Sequence, residues 1–412
     1  MEHRNRRDQI QERVSDTLKG ILFALLAIIA LIIILITFTN NDTPVVAPPP
    51  ENSGSVNLPH HEEEEHPDNE DVNINEPGYV HISHEETDHL FYNGRLELPV
   101  TGATGWAAAN LTLRTEPRSS SERVTNLVPG DAFTIFDETD SWWYVILPNE
   151  VSGWAEINRC FINLPDVIPS IIYNISNAVS SEFRSSGYDM PGITQNSLYS
   201  AYSFNERLDR GEFIVPGAYN LARALSAVQQ LALNNGDTII VYEVFRPLET
   251  QRKVATTLNA MVNRNDPYYN EVVSRAISES QWSVGSFISQ GRSNHQLGAA
   301  LDVTIGIVEE IEIVKTGDYS HRRIKYYSRV NEPSLMHELS PRAVLPGRNS
   351  AAASNIDERI WIMKSYFETM GFSSIASEWW HFNHSSSIST GSASAIGGNF
   401  FTPTIYSIPP FN

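Results

Sequence analysis

Residues 21–38 read ILFALLAIIALIIILITF, an unbroken apolar run without a charged position. As a helix it would span roughly 27 Å at ~1.5 Å per residue, about the thickness of a bilayer's hydrocarbon core. It has no polar stripe, which argues against a core helix, and the TFTNND that closes it offers no small-x-small cleavage site. Arg4, Arg6, Arg7, Arg13 and Lys19 precede it, and no Lys or Arg follows until Arg95. That asymmetry predicts a cytoplasmic tail over 1–20, a single transmembrane anchor over 21–38 and the remaining chain outside the cell.

Behind the anchor the hydropathy collapses. Residues 39–90 carry APPPENSGS and HHEEEEHPDNED, a Pro-, acid- and His-rich composition that cannot bury enough surface to fold, so a disordered linker is expected. Its histidines (His60, His61, His66, His81, His84 and His89) fit a solvated spacer better than a metal store. Over 100–163 short strand-like runs appear, NLTLRTEP, AFTIFDE, WWYVIL and GWAEI, punctuated by the turn signals PGD and PNEVSG. This is the pattern of a small all-β barrel.

From 164 onward the period lengthens. Leu221, Leu225, Val228 and Ala232 share one face of a predicted helix over 218–233, with Gly236 to stop it. DTIIVYEVF is continuous, apolar and β-branched, hence a buried strand. Ile356, Ile360, Met363, Phe367 and Met370 predict a second helix over 357–370, and SEWWHF reads as a terminal strand. The Ser/Gly-rich SSSISTGSASAIGG that follows reads as a loose tail, with domain borders at 164–390 and 391–412.

The formal charge of −20, from 29 Lys+Arg against 49 Asp+Glu, argues against nucleic acid as a partner. A single cysteine, Cys160, excludes an intramolecular disulfide framework and a cysteine-ligated zinc site.

The chemistry begins at SNHQLGAALDVTI, residues 293–305. His295 and Asp302 are either metal ligands or parts of a loop entering a core strand. A catalytic zinc site takes three N or O ligands and leaves a fourth position open. The folded region offers His321, His337, His381 and His384 as further candidates. His381 stands out because Glu378 precedes it by three residues within the apolar SEWWHF. A carboxylate so close to a ligand can serve as base toward the water that a metal activates. Singly, His381 reads as a core histidine and Glu378 as a surface carboxylate. Together the two strings supply three ligands (His295, Asp302 and His381) and a base (Glu378), with His384 left over as a non-ligand.

At this point a resemblance enters. S-x-H-x-x-G-x-A-x-D is met by Ser293, His295, Gly298, Ala300 and Asp302, and a downstream E-x-x-H by Glu378 and His381. The pair resembles the signature of the zinc D-alanyl-D-alanine peptidases. EWWHF and VFRP look most like the D-alanyl-D-alanine dipeptidases associated with vancomycin resistance, and VFRP places Arg246 in the role of that branch's Y-R-P arginine. The resemblance implies an α+β zinc D-Ala-D-Ala peptidase fold, a mixed or antiparallel sheet with flanking helices, holding one Zn2+ per chain. It implies that Arg246 stabilises the oxyanion or grips a substrate carboxylate. Glu243 and Phe245 replace the usual aspartate and tyrosine, and the stretch from Asp302 to Glu378 looks longer than in compact dipeptidases. These departures bear on the substrate rather than on the metal.

The preceding region, with Leu113, Arg114, Pro129, Gly130, Trp142–Tyr144, Gly153 and Trp154, resembles bacterial SH3-like domains. Such domains often bind cell-wall peptides; a spacer role is the open alternative. Serine-type D-alanyl-D-alanine peptidases need S-x-x-K. Lys19, Lys253, Lys315, Lys325 and Lys364 follow Asp16, Thr250, Glu312, Arg322 and Trp361 at that spacing, so this class is excluded. Cys160, at the barrel's end, fits a packing role better than a nucleophile's. An inactive wall-binding protein is disfavoured because no ligand or base is lost. A tether of ~50 residues reaches on the order of 40 Å. An enzyme held there meets peptidoglycan stem peptides, which predicts carboxypeptidase or endopeptidase action, with strict D-alanyl-D-alanine dipeptidase action as the alternative.

Overall fold

The computed structural model describes residues 96–263, 273–278, 282–390 and 404–411. The predicted anchor and linker lie outside the described residues. Among the described residues, no helix is long and apolar enough to cross a membrane.

Seven strands build the barrel: β1 (Thr104–Ala107), β2 (Leu111–Arg114), β3 (Arg123–Leu127), β4 (Ala132–Glu138), β5 (Trp142–Ile146), β6 (Ser152–Glu156) and β7 (Cys160–Asn163). They run in the order β7-β1-β4-β5-β6-β2-β3 with antiparallel neighbours. In β2 and β5 the alternation predicts the burial: Leu111, Leu113, Trp143 and Val145 point inward while their neighbours are half-buried. Strands β1 and β7 are buried at every position, so they show no alternation and were not legible as strands. Their second face is covered by the rest of the protein. Trp106 and Phe161 pack with Phe245, Leu297 and Ala299 from the downstream region in one apolar cluster.

After β7 come β8 (Ile172–Tyr173), the small hairpins β9 (Arg184–Ser185) with β10 (Tyr188–Asp189) and β11 (Tyr202–Asn205) with β12 (Arg210–Phe213), and β13 (Pro216–Ala218). Strand β13 pairs with β7 and extends the barrel sheet to eight strands, so the sheet crosses the expected border at 163/164. Residues 404–411, expected within a loose tail, are docked on the barrel instead. The Trp106 indole donates to the Thr404 carbonyl (2.9 Å), Thr134 Oγ1 to Tyr406 O (2.7 Å) and Ile408 N to Gly102 O (2.8 Å). Ser407 Oγ donates to the buried Asp166 carboxylate (2.6 Å). Its sequence, TIYSIPPF, lacks the Ser/Gly composition on which the expected looseness rests.

The second sheet comprises β14 (Asp237–Glu243), β15 (Ala300–Thr316), β16 (Tyr319–Arg329), β17 (Phe372–Ile375) and β18 (Glu378–His384), together with β8. Its order is β17-β18-β15-β14-β8, with β16 also on β15; β14 and β8 are parallel and the other pairs antiparallel. It is therefore a mixed sheet with flanking helices, as the resemblance implied. The helices Tyr219–Asn234 and Arg359–Thr369 lie within a residue or two of the predicted ranges and bury the predicted faces. The long stretch after Asp302 is the β15–β16 hairpin. Beyond Ile307 it loses its β14 neighbour, so it alternates charged partners such as Arg323 with Glu312 and Lys325 with Glu310.

Candidate metal centre and active site

The sheet register assembles the site. Asp302 on β15 sits opposite Glu243 on β14 and opposite His381 on β18, so one row across three strands carries three ionisable groups. His295 arrives from the short 3-10 turn Asn294–Leu297 that precedes β15. Gly298 closes that turn at φ +57°, in the left-handed region. A Cβ there would lie 2.8 Å from Phe161 Cε1 and 2.9 Å from Ala218 N, so glycine meets both the conformation and the close approach. The turn is further tied down by Gln296, whose Oε1 accepts the Ser293 amide (2.6 Å) and whose Nε2 donates to the Arg246 carbonyl (2.8 Å).

Residues three apart in a regular strand face opposite ways, which would part Glu378 from His381. The pairing of β17 with β18 shifts between Ser374/Phe382 and Ile375/Glu378, leaving Trp379, Trp380 and His381 in an irregular bend. The bend turns both chemical groups inward: Glu378 Oε2 lies 3.7 Å from His381 Nδ1. His384 stays apart, bonded to Ser387 Oγ (2.8 Å) and packed on Phe372.

The protonation states of the two imidazoles follow from their partners. His295 Nδ1 faces the Val244 carbonyl at 2.8 Å, and a carbonyl only accepts, so Nδ1 carries the hydrogen. Nε2 is then a bare lone pair; it is buried, has no hydrogen-bond partner, and points toward Asp302 Oδ2 at 3.5 Å. His381 Nε2 donates to Asn383 Oδ1 (3.1 Å), whose acceptor role is shared with Asn294 Nδ2 (2.8 Å). This leaves His381 Nδ1 facing Asp302 Oδ1 at 3.0 Å. In the neutral tautomer that donates to Asn383, His381 Nδ1 presents a lone pair beside that of His295 Nε2, and a cation between them and Asp302 would satisfy all three. A tetrahedral zinc with ligands at ~2.0–2.2 Å places its donor atoms roughly 3.3–3.5 Å apart; His295 Nε2 lies 3.5 Å from Asp302 Oδ2 and His381 Nδ1 3.0 Å from Oδ1. His295, Asp302 and His381 thus form a group that could hold a metal ion, all three buried.

Charge in the site is strongly perturbed. Burial would raise the Asp302 carboxyl, but His295, His337 and His381 around it hold it well below the usual carboxylate range. Burial pushes the Glu378 carboxyl up to about 7, with Asp302 adding to the effect and His381 opposing it. The guanidinium of Arg246 lies within the site rather than across from it. Nε donates to Glu243 Oε2 (2.5 Å), Nη1 to Gln251 (2.6 Å) and Nη2 to Asp302 Oδ2 (3.0 Å). Glu243, in turn, accepts from Asn177 (2.8 Å) and Tyr199 (3.0 Å). The substitution of glutamate at this position is therefore answered by a complete set of partners.

The site opens into a cleft of about 300 Å³ lined by Phe183, Arg246, Ile288, Trp380 and Asn383 beside the candidate ligands. No residue of the β15–β16 hairpin beyond Asp302 lines it, so the added length does not shape the pocket as expected. His337 does line it, and it is the residue that spacing arguments passed over. It follows the hairpin at no fixed distance from either motif, and its signal lies in tertiary contacts alone. Cys160 sits away from this cleft, buried with Sγ on the Glu156 carbonyl (3.2 Å), and burial pushes its thiol up.

A mixed-sheet domain here presents two imidazoles and a carboxylate that could hold a metal ion, with a glutamate beside them. Comparison with family models agrees. Residues 207–390 match the D-ala-D-ala dipeptidase family of peptidases, and residues 109–158 match the bacterial SH3 domain. The chain carries a bacterial SH3 domain followed by a peptidase domain of the D-ala-D-ala dipeptidase family. A search of curated proteins found no match.

Proposed function

We propose that the protein is a zinc peptidase that hydrolyses D-alanyl-D-alanine-type bonds of peptidoglycan stem peptides outside the cell, as a carboxypeptidase or endopeptidase. The observation that carries the metal reading is the convergence on Asp302 of two imidazole nitrogens: His295 Nε2, buried and without a hydrogen-bond partner, and His381 Nδ1, 3.0 Å from Asp302 Oδ1. When bound, zinc supplies Lewis acidity, polarising a carbonyl and making water a competent nucleophile near neutral pH. Glu378, beside His381, takes the proton of the attacking water and returns it to the leaving amine. Arg246 holds Asp302 in place and keeps an Nη1 hydrogen beyond the one given to Gln251, which suits it to steady negative charge on the substrate. Gln296 and Asn383 orient the turn and the imidazole through the bonds described above.

Topology supports the stem-peptide substrate: the basic residues before 21–38 and the acidic linker after it favour an external catalytic domain on a membrane anchor. The SH3 domain adds a possible cell-wall contact. The family description favours a second reading, a strict dipeptidase acting on free D-alanyl-D-alanine. Incubating the purified zinc-loaded chain with a stem pentapeptide and with D-alanyl-D-alanine separates the two. Release of D-alanine from the pentapeptide is the expected result, and hydrolysis of the dipeptide alone would overturn it.

A further inference from the structure

His337 is fully buried, and its backbone adopts φ +59°, a left-handed conformation uncommon outside glycine, although asparagine, aspartate and histidine enter it more often than other residues. Such conformations persist only where surrounding contacts over-determine them, and they cluster at functional sites. The contacts here are specific. The imidazole stacks on Phe183 with centroids 4.4 Å apart and planes 19° from parallel. Its Nε2 lies 3.1 Å from Asp302 Oδ2. A carboxylate oxygen only accepts, so Nε2 carries the hydrogen and donates it. Nδ1 has no hydrogen-bond partner among the described residues, as a neutral ring with its hydrogen on Nε2 allows.

Arg246 Nη2 donates to the same oxygen from 3.0 Å, and its guanidinium lies over the same Phe183 ring at 5.1 Å. Glu243, Asp302 and His337 also form a cluster with metal-ligand chemistry. That cluster already holds a cation, because Arg246 bonds to both carboxylates. These two donors fix the Asp302 carboxylate so that Oδ1 faces His381 Nδ1 at 3.0 Å while Oδ2 faces His295 Nε2 at 3.5 Å. We propose that His337 is a positioning residue of the metal centre: its Nε2–H, held in place by Phe183, fixes the rotation of the Asp302 carboxylate between His295 and His381. The inference rests on the zinc reading above. His337 belongs to the cleft wall but is 0% exposed, so it acts through Asp302 rather than on substrate.

The test is competitive zinc titration against a chelating indicator with the full chain, for wild type, His337→Phe and His337→Gln, alongside the visible spectrum of the Co2+-loaded proteins. Phenylalanine keeps the stacking and removes the donor; glutamine keeps a donor of similar reach and removes the ring. His337→Phe is expected to weaken zinc affinity by about 10–100-fold, the usual consequence of losing a group that orients a ligand, and to alter the Co2+ spectrum. His337→Gln is expected to recover most of the affinity. If His337→Phe melts far below wild type, the glutamine variant decides alone: near-wild-type affinity supports the donated bond, and a loss as large as phenylalanine's would overturn it. Equal affinity and identical Co2+ spectra in wild type and His337→Phe would overturn the role of His337 while leaving the metal centre standing. A wild-type chain that takes up neither ion would overturn the metal centre itself.

Discussion

Gly298→Ala tests whether the barrel is part of the catalytic support. Two costs are expected. The left-handed backbone at φ +57° disfavours an alanine by about 1–2 kcal/mol. The new Cβ also meets Phe161 Cε1 at 2.8 Å and the Ala218 backbone nitrogen at 2.9 Å. The ring can yield only by moving within a packed cluster with Trp106 and Phe245, and the backbone nitrogen is held by the Gly298 carbonyl at 2.9 Å. Overpacking of this kind adds about 1–3 kcal/mol. The sum, about 2–5 kcal/mol, corresponds to a melting temperature lower by roughly 5–15 °C. Gly192 provides the control: it has φ +70° with nothing within 4 Å of an added Cβ, so Gly192→Ala should show the backbone cost alone, about 1–2 kcal/mol. Because Gly298 N–H bonds to the His295 carbonyl (3.1 Å), the clash should also displace His295 and weaken zinc binding. Thermal melts and zinc titration on the two variants make the comparison. Equal melting temperatures for Gly298→Ala and Gly192→Ala, with unchanged zinc affinity, would refute the claim that barrel packing holds the ligand turn.

His381→Ala should reduce bound zinc to a small fraction by elemental analysis, whereas His384→Ala, bonded only locally to Ser387, should leave it nearly unchanged; the reverse pattern would reassign the ligand. Glu378→Gln should retain metal and lose most turnover in a D-alanine release assay, and a near-normal rate would remove Glu378 from the mechanism. Arg246→Ala should lower the rate by ~10²–10³. It should also destabilise the fold by about 3–5 kcal/mol, because Glu243 is left buried without its cation; a melting curve matching wild type would refute the second effect. Glu97, buried against Ser170, has its carboxyl pushed up from 4.5 to about 7, chiefly by burial. The folded form therefore holds its proton more tightly, so this contribution is complete below pH 4.5 and is lost as pH rises through 7, by at most about 3 kcal/mol. Glu97→Gln should accordingly be more stable than wild type in denaturant titrations at pH 8 and no more stable at pH 4.5. A wild type equally stable relative to the variant at both values would contradict it.

Much of this architecture is local and was therefore legible in the chain. The helix faces carrying Leu221, Leu225 and Val228, and Ile360, Met363 and Phe367, follow from their 3.6-residue period. The buried strand β14 follows from its continuous apolar run, and the barrel strands β2 and β5 from alternation. The pairing of His295 and Asp302 with Glu378 and His381 was readable because short motifs fix residue types at fixed spacing. What the sequence could not hold is anything decided by partners distant along the chain. The strand irregularity that turns Glu378 and His381 to one side depends on how β18 registers with β17. His337 joins the site only because the chain returns from the β15–β16 hairpin beside Phe183 and Asp302. Arg246, which reads as a substrate-facing group in VFRP, is drawn toward Asp302 by a glutamate three residues before it and a carboxylate 56 residues after it. Residues 404–411 show no periodicity that marks them as ordered; Asp166, Thr134 and Trp106 order them by bonding to their backbone and to Ser407. Local pattern sets which residues can bury a face or bear a ligand, because that depends on side-chain type and on neighbours one turn away. Which lone pairs converge, and which carboxylate meets which cation, depends on packing between segments far apart in the chain, and only the folded structure carries it.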